Sequence, residues 1–211
     1  MLGGLGEVYA DLRRHDKALS LYQDALAICR EVGDRYGEGW TFFRLGRVHS
    51  ALRRHDEALS SFQEGLAICR EVGDRYSESW IFYQLGQVHA ALRRHDEALS
   101  FYQEGLAICR EMGNRYGEGW TLYRLGRVYA DLRRHREALN FYQEALKTCR
   151  EVGDRWGEGW ILYHLGMAFR DIQDIEAAHA RWRKARAVFT ELGIPLANEV
   201  RAVLEDVDGA G

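Results

Sequence analysis

Asp34-Arg-Tyr-Gly-Glu-Gly-Trp40 is the stretch that decides the fold, because close copies of it recur at a fixed spacing of 40 residues, at Asp74–Trp80, Asn114–Trp120 and Asp154–Trp160. Laying residues 34–73 over residues 74–113 leaves 30 of 40 positions identical without a gap. Repetition at such a period indicates a solenoid of stacked supersecondary units. In arrays of this kind the long surface left by stacking, rather than a catalytic cleft, is the usual working part.

The composition is typical of a folded, water-soluble chain. With 211 residues, 46% of them hydrophobic, 29% charged and only one proline, the sequence can form a continuous core. The formal charge of −3 gives no bulk attraction for nucleic acid or anionic lipid. No apolar run approaches the roughly 20 residues that a membrane helix needs, and the first residues do not resemble a signal peptide. We therefore expect a cytoplasmic protein without a membrane or nucleic-acid partner.

The four cysteines also follow the 40-residue period, at Cys29, Cys69, Cys109 and Cys149. Equivalent atoms of stacked hairpins lie about 10 to 20 Å apart, since helices pack at about 10 Å. A disulfide needs Cα atoms within about 7 Å, and zinc needs sulfur atoms about 2.3 Å from one ion. We therefore expect reduced, buried, structural cysteines, with no metal and no cofactor.

Each unit is predicted to contain two helices. In residues 34–73, Asp34 is the expected N-cap of a first helix whose apolar stripe is Phe42, Leu45, His49 and Leu52. Arg53-Arg54-His55 forms the turn, Asp56 is expected to cap the second helix, and Gly73 is expected to end it. The second helix has its own stripe, formed by Ala58, Leu59, Phe62, Leu66 and Cys69. The unit is therefore an antiparallel helical hairpin.

The order Phe42-x2-Leu45-Gly46-x2-His49, followed by Ala58-x3-Phe62, resembles the tetratricopeptide-repeat pattern of aromatic-x2-Leu-Gly-x2-Tyr and Ala-x3-Phe. The same frame recurs in five units. The resemblance implies an all-α fold, a right-handed superhelical solenoid of antiparallel hairpins in a single array. Its expected divisions are residues 1–33, shortened at their start, then 34–73, 74–113, 114–153 and 154–193, with a capping helix over about 195–207.

The period of 40 residues resembles that of a long-repeat subclass found in Pins-type regulators, kinesin light chains and bacterial sensor domains. Members of this subclass bind peptides or proteins in a concave groove lined by the first helix of each hairpin. The resemblance therefore implies a groove formed by Trp40, Phe43, Arg44, Arg47, Trp80, Tyr83, Gln87, Trp120, Tyr123, Arg124, Arg127, Trp160 and Tyr163. Trp, Tyr and Arg are the residues most enriched at binding hot spots. The alternative is that the tryptophans are plain packing between units, with Tyr36, Tyr76, Tyr116 and Trp156 beside them.

A second recurrent motif is Arg-Arg-His-Asp, at Arg13–Asp16, Arg53–Asp56 and Arg93–Asp96, with Arg133–Arg136 in the fourth unit. It has two interpretations: a docking strip for an acidic protein or nucleic acid, or a solvated turn with an aspartate cap. Nearby glutamates balance the charge, which favours the solvated turn.

No catalytic motif is present: the glycines at residues 3–6 lie within a helix pattern, and the turn histidines are a repeat apart. The sequence thus predicts a non-enzymatic protein-interaction module that binds an acidic and apolar peptide or protein segment, within a larger signalling, sensor or scaffold protein. It predicts no small-molecule substrate. The alternative is a structural scaffold or engineered array without a dedicated ligand, which associates with itself through the shortened first helix.

Overall fold

A computed structural model describes the backbone of residues 2–208 and the side chains of residues 3–204. This part of the chain is all-α, as predicted, and none of its helices is long and apolar enough to cross a membrane. The helices are α1 (Leu2–Asp11), α2 (His15–Val32), α3 (Arg35–Ala51), α4 (His55–Val72), α5 (Arg75–Ala91), α6 (His95–Glu111), α7 (Arg115–Asp131), α8 (His135–Val152), α9 (Arg155–Asp171), α10 (Ile175–Glu191) and α11 (Leu196–Asp208).

The helices form two compact units, a first one up to Ile108 and a second one from Cys109 onward. In the first unit α1 packs on α2 and α3 on α4, and α2 and α4 also contact the first helix of the next hairpin. In the second unit α7 packs on α8 and α9 on α10, and α8 contacts α9. This succession of stacked hairpins confirms the predicted repeat-solenoid class.

The two helices of a hairpin approach closely at one glycine. A Cβ on Gly46 would lie 2.5 Å from Cε1 of Phe62, well inside van der Waals contact. The same approach of a glycine to an aromatic ring occurs at Gly6 and Tyr22 in the first unit, and at Gly126 and Tyr142 in the second. The small residue at this position is therefore required by the ring that crosses it.

The helix ends confirm some predicted caps and correct one. Asp34 is the N-cap of α3, and Gly73 ends α4 in the left-handed conformation at φ 73°. Asp56, however, does not cap α4: the N-cap is Arg54, which makes no side-chain capping hydrogen bond. The reason is that Arg53 occupies the left-handed region at φ 57°, so that the helix begins at His55 and Asp56 already lies inside its first turn.

The core runs between the hairpins. In the first unit Ala18, Tyr22, Leu45 and Val48 form one buried cluster, and a larger one surrounds Phe62 and Leu85. Burial raises the pKa of the Cys69 thiol to about 12, as expected of a structural cysteine. Cys29 differs from that expectation because it is only partly buried.

The last helix, α11, packs on α10 through Val200 and Leu204, which are both buried. The sequence predicted a capping helix over about residues 195–207.

Candidate functional site

The recurring seven-residue motif starts the first helix of each hairpin. In the second copy of the hairpin the Asp34 carboxylate accepts a hydrogen bond from the backbone N–H of Gly37, at 2.8 Å between Oδ1 and N. A Cβ on Gly37 would lie 2.9 Å from Sγ of Cys29, so the glycine leaves room for the neighbouring helix. The motif therefore sets the start of α3 and its distance from α2.

A buried carboxylate follows the cap. Glu38 is 5% exposed and accepts hydrogen bonds from Arg30 of α2, at 2.8 Å, and from Arg35. Burial alone would raise the pKa of Glu38, but the hydrogen bonds from the two guanidinium groups outweigh it, and the pKa is lowered. The carboxylate is therefore held ionised inside the hairpin junction.

The same arrangement recurs in both compact units. Glu78 accepts from Arg70 at 2.9 Å and from Arg75 at 2.5 Å, and Glu158 accepts from Arg150 at 2.7 Å. Arg35 also donates to Glu71, at the end of α4 in the same hairpin, through Nε at 3.0 Å. Arg30 thus links successive hairpins through the buried carboxylate, and Arg35 joins that carboxylate to an exposed one within a single hairpin. Neither role was predicted from the sequence.

One side of the first helices carries the residues predicted to line a groove. We define the first-helix face of the first unit by Tyr36, Trp40, Arg44 and Arg47 of α3 and by Tyr76, Trp80 and Gln87 of α5. The Trp40 and Phe43 rings stack at 5.0 Å between centroids, and the Arg44 guanidinium carbon lies 5.0 Å from the Trp40 ring centroid. This face therefore combines aromatic surface with cationic groups.

Two of the predicted groove residues in this unit are not open to solvent, which corrects the expectation that they line the groove. Phe43 is 5% exposed and Tyr83 is 8% exposed. The physical reason is the hairpin itself, because the Phe43 ring packs 6.3 Å from that of Phe62, and the Tyr83 ring 6.0 Å from that of Tyr102. Trp40, Trp80, Arg44 and Gln87 are partly exposed, and Arg47 is exposed.

Two tyrosines that were named only in the packing alternative form the open aromatic surface of this face. Tyr36 is 60% exposed and Tyr76 is 48% exposed. Each lies four residues before the tryptophan of its helix, so that it extends the same side by one turn. Continuing the Trp40, Phe43 and Arg47 stripe backwards in the sequence would have found them.

A shallow cavity of about 120 Å³ adjoins this face, between α1, α2 and α3. Charged groups of both signs line it, including Glu7, Asp11, Arg44 and Arg47. Arg44 is paired with Glu7 at 2.8 Å. Arg47 is different, because no carboxylate of the described residues makes an ion pair with it.

In the second unit the corresponding residues differ in how far each side chain is exposed. Trp120 is 8% exposed and Tyr123 is 4% exposed, so these two predicted groove residues are also buried. Arg124, Trp160 and Tyr163 are partly exposed, and Arg127 is exposed. The open aromatic residues are Tyr116 and Trp156, at 50% and 49% exposure.

His164 lies at the centre of the aromatic residues of the second unit. Its ring packs 5.4 Å from that of Tyr123 and stacks 6.2 Å from that of Trp160. Burial, with the nearby charges of Arg127 and Arg124, lowers the pKa of His164 to about 3. The imidazole is therefore neutral at physiological pH and acts as an aromatic packing group rather than as a third cation.

Trp120 and Trp160, which occupy the same position of successive first helices, differ in how their indole N–H groups are satisfied. Nε1 of Trp120 donates to Oδ2 of Asp154 at 3.0 Å. Nε1 of Trp160 is buried and has no hydrogen-bond partner among the described residues. The residue 40 positions after Asp154 is Ile194, whose side chain offers no acceptor.

The sequence matches one family model along most of its length. A model described as tetratricopeptide repeat matches residues 1–71, 50–111, 77–151 and 117–191. A search of curated proteins finds no match.

Solved structures share the fold. A signal transduction ATPase with numerous domains and a tetratricopeptide repeat sensor, from Pyrococcus horikoshii, is similar with a TM-score of 0.86 and 19% identity, over 99% of this chain and 33% of that chain. The apo form of RapI is similar with a TM-score of 0.83 and 18% identity, over 91% of this chain and 70% of that one. A Rap protein complexed with Competence and Sporulation Factor has a TM-score of 0.73 and 16% identity, over 99% and 63%.

Proposed function

Because the chain belongs to the tetratricopeptide-repeat family, we propose that it is a protein-interaction module that binds a peptide or protein segment on the first-helix face of its hairpins. The family and the all-α repeat fold support the general role. The similar Rap protein that was crystallised with Competence and Sporulation Factor shows that a related fold is found in complex with another molecule. The binding face and its ligand are our proposal.

The exposed aromatic rings beside a free arginine carry the proposal. Tyr36 and Tyr76 are about half exposed on neighbouring first helices, although large aromatic rings usually gain free energy from burial. Arg47 lies on the same side of α3, is exposed and makes no ion pair with a described carboxylate. Tyrosine, tryptophan and arginine are the residues that most often dominate binding free energy.

The chemistry of this face indicates a segment that mixes acidic and apolar side chains. Trp40 and Trp80 are partly exposed and offer apolar surface, whereas Arg47 and, in the second unit, Arg127 offer unpaired guanidinium groups. A guanidinium group can bind a carboxylate through two parallel hydrogen bonds. The cavity beside Arg47 has room for one side chain of such a segment.

A peptide-array screen with the wild-type chain, followed by affinity measurement, tests this function. The charge-reversal variant Arg47→Glu with Arg127→Glu should bind the selected peptides about tenfold more weakly or worse. A matched control is Arg183→Glu with Lys184→Glu, which reverses the same number of exposed charges on α10. Unchanged binding by the first variant, or equal loss in the control, would show that this face is not the binding site.

The open tyrosines provide an independent test. Replacing both Tyr36 and Tyr76 by alanine removes exposed rings, so that folding should be little affected while binding weakens. Melting curves recorded beside the binding data separate the two effects. Binding that is unchanged in this variant would contradict the role of the aromatic surface.

Self-association is a second candidate function, and one observation favours it. Leu5 and Val8 of α1 are 47% and 52% exposed, whereas their counterparts Leu45 and Val48 are 6% and 3% exposed, buried against the preceding hairpin. Light scattering at increasing concentration measures whether a second copy covers this surface. A constant monomer mass would exclude it, and a dimer that Val8→Glu converts to monomer would support it.

The other sequence predictions stay predictions. They are a cytoplasmic location, the lack of catalytic activity, and no nucleic-acid, membrane or small-molecule partner.

A further inference from the structure

The turns between the two helices of the first four hairpins place arginine where the backbone does not favour it. In the first unit Arg13, Arg53 and Arg93 have φ values of 55°, 57° and 60°, in the left-handed region. Only glycine adopts this region without steric cost, and asparagine is the next most tolerant residue. An arginine in this unfavourable backbone conformation therefore recurs at three successive turns.

The next residue of the turn is arginine as well, and it is also a poor choice for its position. Arg14 and Arg54 are the N-caps of α2 and α4, and neither side chain caps the helix. A helix N-terminus favours an acceptor or a negative charge, whereas arginine offers neither.

The last hairpin shows what a locally favourable turn looks like in the same chain. There the two positions are Gln173, with φ 66°, and Asp174, whose Oδ1 accepts a hydrogen bond from the backbone N–H of Ala177 at 3.0 Å. The turn therefore accepts a capping aspartate without any change of backbone. Arginine in the earlier turns is not required by the fold.

In the first unit the arginines of these turns also make no ion pair with a described carboxylate, unlike Arg134 of the second unit, which pairs with Glu137 at 2.8 Å. We call the following six residues of the first unit the turn arginines: Arg13, Arg14, Arg53, Arg54, Arg93 and Arg94. All six are exposed, and no described carboxylate makes an ion pair with any of them. Their guanidinium groups are therefore available to another molecule.

We infer that the turn arginines form a second docking surface, for an acidic protein segment whose aspartate and glutamate side chains pair with the guanidinium groups. Residues that are unfavourable for the local fold yet repeated are expected where function selects them. This surface is separate from the first-helix face, and the inference does not depend on the proposed function.

The surrounding charges favour a protein rather than a nucleic acid as the partner. Asp16, Asp56, Glu57, Asp96 and Glu97 lie in the first turns of the second helices and are exposed. A continuous phosphate backbone would meet these carboxylates as well as the arginines. A peptide instead can place its carboxylates at intervals that match the arginine pairs, and the net charge of −3 disfavours polyanions in general.

A graft of the last turn into two earlier turns tests the inference. The variant carries Arg53→Gln, Arg54→Asp, Arg93→Gln and Arg94→Asp, and the probe is a fluorescein-labelled peptide of clustered aspartate and glutamate, measured by anisotropy at low salt. We expect binding roughly tenfold or more weaker, with Tm equal to or above that of the wild type. The matched control, Arg183→Glu with Lys184→Glu and Arg186→Glu, gives the same change in net charge on α10 and should bind within about twofold of the wild type.

Two further measurements keep the test decisive. If the graft folds poorly, the variant Arg13→Gln with Arg53→Gln and Arg93→Gln removes three guanidinium groups and leaves the helix N-caps unchanged. Peptides from the array whose binding is lost in the first-helix variant Arg47→Glu with Arg127→Glu should bind the graft as they bind the wild type, which separates the two surfaces. The inference is overturned if the graft binds the peptide normally, if the wild type does not bind it, or if an oligonucleotide of equal charge binds more tightly.

Discussion

At the paired end of the hairpins, where Arg35 and Arg70 lie, arginine side chains are bound to carboxylates, whereas at the turn ends of the first unit, where Arg53 and Arg54 lie, they make no ion pair with a described carboxylate. The two ends have the same residue type, similar exposure and the same 40-residue period. The difference is the buried glutamate, Glu38 or Glu78, which gives the arginines of the paired end a partner inside the fold. Repetition of a charged residue therefore has two separable causes, stabilisation of the array and presentation of charge to solvent.

The largest expected effect is at the paired end. Replacing Glu78, which is 3% exposed, by alanine removes the shared acceptor of Arg70 and Arg75. Because both arginines are partly exposed and can regain water, we expect a loss of about 2 kcal/mol in the free energy of unfolding, below the 3 to 5 typical of fully buried pairs. Urea unfolding followed by circular dichroism measures it. Glu64→Ala, at an exposed position of α4, is the control, and an equal effect there would contradict the comparison.

Acid should reduce the stabilisation that the buried glutamate gives to the paired end. The pKa of Glu38 is lowered in the folded protein, so the unfolded chain takes up this proton first as the pH falls. The stabilisation from Glu38 is therefore complete above its ordinary pKa of 4.5 and is lost as the pH falls through the lower, folded value. The stability gap between the wild type and Glu38→Gln should be constant near neutral pH and should close in acid. Other acid-sensitive groups are the same in both proteins, so their effects cancel in the stability difference. A difference that does not change with pH would contradict the stabilising role of the ionised Glu38.

At the turn end a single substitution should increase the stability of the protein rather than decrease it. Arg54→Asp supplies the cap that Asp174 provides in the last hairpin, and we expect a gain of about 1 kcal/mol in the free energy of unfolding. Urea unfolding beside the wild type measures this gain. A loss of stability would mean that Arg54 has a structural role, and the two ends would then not differ in the way described above.

The smallest effect on stability is expected for Glu71, the exposed carboxylate of the paired end. Glu71 accepts from Arg35 but is exposed, and solvent-exposed ion pairs contribute little. Glu71→Ala should therefore change the urea midpoint by no more than the measurement error. A loss as large as that of Glu78→Ala would show that the exposed link between the two helices of a hairpin contributes as much stability as the buried carboxylate.

Several features were predictable because they depend on local sequence. The Asp34 cap and the Gly73 ending follow from residue type and position, and the small residue at Gly46 follows from the close approach of two helices. The 40-residue period and the apolar stripes of the helices are then sufficient to predict the hairpin and the repeat class.

Other features depended on neighbours that a helical stripe does not specify. Phe43 and Tyr83 lie on the predicted side of their helices, but the second helix of the same hairpin covers them. Glu38 looks like an ordinary acidic residue of a first helical turn, and only the packing of α2 brings Arg30 to it. The prediction that Asp56 caps α4 was wrong because Arg53 adopts a left-handed conformation. The helix therefore begins at His55, and Asp56 lies inside its first turn.

The recurrence of the buried glutamate and its arginines has a consequence for the folding of this chain. A hairpin that offers Glu38 and one that offers Glu78 present nearly the same contacts, since 30 of 40 residues are identical. During folding, a hairpin can therefore dock one register away from its native neighbour and still satisfy its carboxylate. Positions that differ between the copies at the contact of one hairpin with the next, such as Ile81, which lies against Gly65 and has Thr41 as its counterpart, are left to discriminate correct from shifted assembly.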